Sequence, residues 1–301
     1  MTPVISAYTA HERLIAPLRD TAQLWRLLLG AIVAMLVYIA GTQFLYRSLF
    51  RAWRAQGEPD PLDALVSGAT PAAMYALLFG FVFMSLGVLA ARLVVHGKGW
   101  QSLIGPARAT AAQFSRVILV LVVLNAAVWI LPPWDWGAPF VPNVDPGRWL
   151  MLLPLSLAAI LVQTGSEEIV FRGYLQQQLA ARFRSPLVWM LLPALAFGAG
   201  HYLPEANGNN AGLIAVWALV FGLLMADLTA RAGTLGPAIA VHFVNNASAM
   251  LIVSLPDELS GLSLYLAPFS ADDEAALRAW LPVDFAMMIV SWLAARLAIQ
   301  R

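Results

Sequence analysis

The sequence predicts an all-α fold, a polytopic transmembrane bundle of about eight spans with its active site in an intramembrane cavity. Three observations predict it. The 301 residues are 60% hydrophobic and only 12% charged, with a mean hydropathy of +0.72. A soluble domain runs nearer half apolar and a quarter charged. Apolar stretches of about 20 residues, the length that crosses a bilayer core, recur along the whole chain. Inside some of those stretches sit short polar clusters, and an ionisable group at membrane depth faces a protein interior or a wet cavity.

The spans are expected near 27–46, 72–91, 114–131, 149–168, 187–205, 211–230, 235–254 and 283–299. The first 23 residues carry Glu12, Arg13, Arg19 and Asp20 without a compact apolar run, so the first span reads as an uncleaved anchor rather than a signal peptide. Gly99 to Arg116 is too polar to span and reads as an interfacial segment broken at Gly105-Pro106. Residues 169–184 continue the fourth span as a helix, with Leu175, Leu179 and Phe183 at helical spacing and Pro186 closing it. Asp284 lies at the start of the eighth span and Arg296 near its end. Three regions result: 1–147, N-terminal spans plus the interfacial segment; 148–254, the core carrying the polar clusters; 255–301, a loop and the last span.

Arginine placement orients the chain. An N-in, C-in topology puts Arg13, Arg19, Arg92, Lys98, Arg108, Arg182, Arg184, Arg231 and Arg296 inside, and the acidic loop with Asp257, Glu258, Asp272, Asp273 and Glu274 outside. Arg47, Arg51, Arg54, Arg148 and Arg278 fall outside, the first three making the first outside loop a local exception. Trp100, Trp134, Trp136 and Trp149 fall near span ends, where interfacial tryptophans belong. No basic tract suits nucleic acid. The absence of cysteine removes disulfides, thiolate ligands and a thiol nucleophile.

Three clusters carry the chemistry. Glu168 and Arg172 are four apart on one helix face and can pair, whereas Glu167 is turned about 100° away and stays free for chemistry. His201 lies four residues after Phe197, so the ring can set its orientation. His242 and Asn246 share a face and can both donate to one oxygen, as an oxyanion requires. Taken singly, each cluster also reads as ordinary structure: an ion pair at a span end, a core histidine, a polar pair between helices. His11 and His96 lie outside the spans and read as incidental, and Asp227 with Arg231 reads as a snorkelling pair. His-Glu-x-x-His, Gly-x-Gly-Asp and Gly-x-Ser-x-Gly motifs are absent.

Glu167-Glu168-x-x-x-Arg172, Phe197-x-x-x-His201 and His242-x-x-x-Asn246, in this order and each in an apolar segment, resemble the pattern of the CAAX prenyl protease type II family, also called the CPBP or abortive-infection family. The resemblance covers about residues 148–254. It implies an intramembrane endopeptidase in which Glu167 and His201 activate water, His242 and Asn246 stabilise the oxyanion, and Glu168, Arg172 and Phe197 support the site. The family has been described both as metalloproteases and as metal-free, glutamate-dependent enzymes. The reading here leans to metal-free, with zinc on Glu167, His201 and His242 as the alternative. The implied partners are a peptide or membrane-protein substrate and the lipid bilayer. Arginine-over-lysine and alanine-rich usage points to a bacterial plasma membrane, where a prenylated substrate does not transfer with the family name. The competing classes are a non-catalytic immunity or scaffold protein and a proton-coupled transporter; no internal repeat supports the latter.

Overall fold

The computed structural model describes residues 7–57, 61–131, 139–256, 259–270 and 273–300. Trp134, Trp136, Asp257, Glu258 and Asp272 lie outside the described residues. Eight principal helices follow in order: α1 Leu24–Ala55, α2 Pro71–Val94, α3 Ala107–Ile130, α4 Pro146–Arg182, α5 Leu187–Gly200, α6 Ala211–Ala232, α7 Gly236–Ala247 and α8 Glu274–Ala298. They form a helical polytopic bundle. Among the described residues six helices are long and apolar enough to cross a membrane. The other two, α5 and α7, fall where spans were expected but are short. At 1.5 Å per residue α5 covers about 21 Å and α7, with the π-helical turn Ser248–Ile252 that continues it, about 26 Å, against about 30 Å of hydrocarbon. An eight-span count therefore overstates the full crossings.

Local sequence explains the helix ends. Thr70, Asp145 and Asp273 each cap a helix by accepting the backbone N–H three residues on, and Pro71 and Pro146 follow two of them at the first helical position. The polar stretch 99–116 forms one turn at Gln101–Ile104, breaks at Gly105 as expected, and then opens α3. The fourth helix ends at Arg182, where Phe183 turns to extended backbone. Pro186 thus starts α5 rather than closing α4. The last helix begins at Glu274, about ten residues earlier than the hydropathy suggested, so Asp284 lies well inside it. Three two-residue strands were not expected. Tyr265–Leu266 (β3) pairs antiparallel with Val141–Pro142 (β1) and parallel with Val253–Ser254 (β2), tying the loops at one end of the bundle.

Helix lengths set the depth of the site. From Glu167 to the end of α4 is about 22 Å, and from the start of α5 to His201 about 21 Å, so this hairpin returns His201 to the level of Glu167. His242 lies only about 9 Å into α7. For His242 to reach the same level, the α6–α7 turn must be recessed into the bundle. It is covered there. Gly233 ends α6 at φ 65°, and a Cβ on it would collide with the Ala10 carbonyl. Leu235 N–H donates to Ile104 O at 3.1 Å, and Leu14, Ile15 and Leu235 pack together with Ile104. The N-terminal segment 7–22 is therefore part of the fold. Asp227 fixes it too. Its carboxylate accepts from Arg231 at 2.8 Å, from Tyr8 at 2.8 Å and from Trp292 at 3.0 Å, so the pair anticipated as snorkelling is a junction of α6, α8 and the N-terminal segment.

His11, expected to be incidental, is buried against Trp189 with ring centroids 5.0 Å apart. Burial pushes its pKa from 6.5 down to about 4. The undocked segment binds the proton more readily, so docking is fully favoured above about pH 6.5 and weakens as pH falls toward 4, by about 3 kcal/mol in all. Hydrogen exchange of residues 7–22, corrected for intrinsic rates, should accelerate over that window. His11→Phe should flatten the response; an unchanged response in the variant contradicts this role.

Candidate active site

The site is assembled on α4 and α7, which run antiparallel. Two rungs join them. His242 faces Glu167, with Nε2 to Oε2 at 3.3 Å, and Asn246 Nδ2 donates to Gln163 Oε1 at 2.9 Å. Ascending one turn on α7 descends one turn on α4. Gln163 and Glu167 are therefore on one face of α4 by the same four-residue spacing that aligns His242 with Asn246.

The two adjacent glutamates have different surroundings. Glu168 is fully buried and accepts from Arg172 Nη1 at 3.0 Å and from His242 Nδ1 at 2.8 Å. Arg172, also buried, donates through Nη2 to the Gly222 carbonyl at 3.0 Å and lies 5.0 Å over the Phe197 ring. Glu167 keeps some exposure, 12% of its side chain, and its contact with His242 is the longer of the two. A single imidazole thus spans both carboxylates. Immediately after them Ile169–Gln176 is π-helical, a local widening frequent at functional sites.

His201 caps the end of α5. Its Nδ1 lies 2.8 Å from the Phe197 carbonyl. A carbonyl only accepts, so Nδ1 carries the hydrogen, and in the neutral ring Nε2 keeps its lone pair. Phe197 packs 4.5 Å from His201 and 6.0 Å from His242, measured between ring centroids, and so links the two histidines. Phe221 closes on His242 at 5.0 Å. Close approach of α5 and α6 permits this packing: a Cβ on Gly222 would stand 3.1 Å from Ala194 Cα.

The fold thus brings Glu167, Glu168, Arg172, Phe197, His201, His242 and Asn246 to one place. It does not make a three-ligand metal site of Glu167, His201 and His242. Among the described residues no three His, Asp or Glu side chains are grouped to hold an ion. His242 Nδ1 faces Glu168 and Nε2 faces Glu167, while His201 Nδ1 donates to its own helix and leaves Nε2 free. Asn246 does not share an acceptor with His242 either: one amide hydrogen goes to Gln163, and Asn245 Nδ2 donates to Asn246 Oδ1 at 3.2 Å.

Sequence reasoning missed Gln163, Phe221 and the Gly222 carbonyl. Gln163 was findable, since it stands one turn before Glu167 on the same face of an apolar helix. Phe221 and a backbone carbonyl carry no such signal. His96 was also missed as structure. It is buried and contacts Tyr174 Oη at 3.0 Å, Gln178 Nε2 at 3.3 Å and the Thr21 carbonyl at 3.2 Å, locking α4 to the N-terminal segment.

Removing one partner of a buried pair leaves an uncompensated charge and costs about 3–5 kcal/mol. Arg172→Gln should lower the thermal stability of the purified protein by that amount, whereas Glu167→Gln should leave it within about 1 kcal/mol. Equal melting of Arg172→Gln and wild type would contradict the brace.

With this geometry in hand, comparison with known proteins is direct. Residues 148–248 match the family model described as type II CAAX prenyl endopeptidase, Rce1-like. YyaK of Bacillus subtilis (strain 168), an uncharacterized protein, is 23% identical over 258 residues, covering 82% of this chain and 84% of its own. No solved structure matches. At family level the matched region supports a CAAX-type intramembrane protease.

Proposed function

We propose that this protein, whose residues 148–248 carry the Rce1-like match, is an intramembrane endopeptidase that hydrolyses a peptide bond with water activated by Glu167. The observation that carries the reading is the imidazole held between the two glutamates. With His242 protonated, it and Arg172 balance Glu167 and Glu168, so the cluster is neutral as a unit and both carboxylates can stay ionised in an apolar bundle. Glu168, tied to Arg172, is the brace. Glu167, the more accessible carboxylate, is the base.

In this mechanism Glu167 takes a proton from water, and His201 Nε2 accepts the second hydrogen to aim the oxygen. The oxygen attacks the carbonyl carbon, and the carbonyl electron pair moves onto its oxygen. Glu167, now neutral, releases its hold on His242 Nε2–H, which turns to the oxyanion together with the amide hydrogen of Asn246 not spent on Gln163. Collapse breaks the C–N bond, and Glu167 returns its proton to the leaving nitrogen. The substrate is a peptide or membrane protein that reaches the site from within the bilayer. The reading places the chain in a bacterial plasma membrane with both termini in the cytoplasm.

The test compares membrane proteomes of cells expressing wild type and Glu167→Gln. Cleavage products should vanish in Glu167→Gln and in His201→Ala, with loss of at least a hundredfold in turnover, while both variants accumulate in membranes. Asn246→Ala should retain some turnover, reduced about a hundredfold, as for loss of one oxyanion donor. Wild-type cleavage in Glu167→Gln sinks the assignment and leaves a scaffold.

A further inference from the structure

On the other side of α7 from the glutamates lies a half-open cavity of about 410 Å³ lined by α3, α7, α8 and the small sheet. Val241, Val244, Asn245 and Ser248 line it, a helical stripe turned away from His242 and Asn246. Phe221 walls it off from the site, packing edge-on against His242. Most of the lining is apolar, and two aromatic pairs shape it: Trp129 with Phe140, and Phe269 with Trp280, at centroid distances of 6.1 and 5.8 Å.

One residue does not belong in an apolar cavity. Asp284 lines it from the interior of α8, where the residue is exposed toward the opening of the cavity, and among the described residues its carboxylate has no hydrogen-bond or ion-pair partner. The other acids inside the long helices are compensated. Glu168 has Arg172, Glu167 has His242, and Asp227 has Arg231. A carboxylate without a partner inside an apolar helix, open to whatever enters the cavity, marks a site whose partner comes from outside the fold. An anionic ligand is repelled by it, and a neutral one that fills the cavity would cover it without compensation. A cation meets it, and aromatic faces stabilise a cation in the same place.

We propose that this cavity binds an alkylammonium group carried on an apolar stem, with Asp284 as the counter-ion and the tryptophan–phenylalanine pairs around it. The site is separate from the peptidase centre and does not depend on its chemistry.

The test uses the full-length protein in dodecyl maltoside micelles and two photoreactive probes, dodecylamine and dodecanol, each with a diazirine at the chain end. Crosslinks are mapped by mass spectrometry and normalised to labelling of the lipid-facing side of α1, where Leu28, Ile32 and Leu36 are exposed. The amine should label peptides holding Trp129, Asn245 and Trp280 at least fivefold more than the alcohol. Asp284→Asn should abolish that excess, and Glu167→Gln should leave it intact whatever happens to cleavage. Equal labelling by amine and alcohol in the wild type overturns the proposal without need of a variant. So does an excess that survives in Asp284→Asn.

Discussion

A carboxylate within an apolar bundle is tolerated only where something compensates its charge, and two adjacent carboxylates sharpen the requirement. In this protein Arg172, one turn along the same helix, pairs with Glu168, and His242, delivered by α7, lies within reach of both carboxylates. Much of the architecture serves that delivery. Helix α4 must run on for about 22 Å past Glu167 so that α5 can return, and α7 must start deep. A deep start leaves a recess behind the α6–α7 turn, which is filled by the N-terminal segment and by the turn at Gln101–Ile104. Gly222 and Gly233 sit where a side chain would block these approaches.

The same constraint separates the roles of Glu167 and Glu168. Neighbours in sequence point about 100° apart on a helix, so one can be enclosed while the other stays accessible. Glu168 has two close donors and no exposure; Glu167 has one longer contact and an open edge. In the proposed mechanism that difference makes one a fixed counter-ion and the other the base that meets water.

The helical segments were legible because each is an apolar run bounded by polar or proline-rich sequence, and the residues of the site because Glu, Arg and His stand out in such runs. What was not legible follows from physics that hydropathy does not encode. Hydropathy reports how apolar a segment is, not how far it reaches, so α5 and α7 looked like full spans. Polar residues around His11, Leu14 and Leu18 made the N-terminal segment look external, although these three side chains are buried. Capping by Asp273, rather than apolarity, sets the start of α8 and moves Asp284 into its interior. The partner of Asn246 depended on the register of α7 against α4, which no single-helix pattern contains.

The proposed mechanism requires His242 to bridge two ionised glutamates as an imidazolium. With only four histidines in the chain, nitrogen-15 solid-state NMR of histidine-labelled protein in bilayers at pH 7 can isolate its signal, assigned by its loss in His242→Gln. Both ring nitrogens of His242 should be protonated, and Glu167→Gln should convert the ring to a neutral tautomer that keeps the hydrogen on Nδ1. A neutral His242 in the wild-type protein would contradict the account.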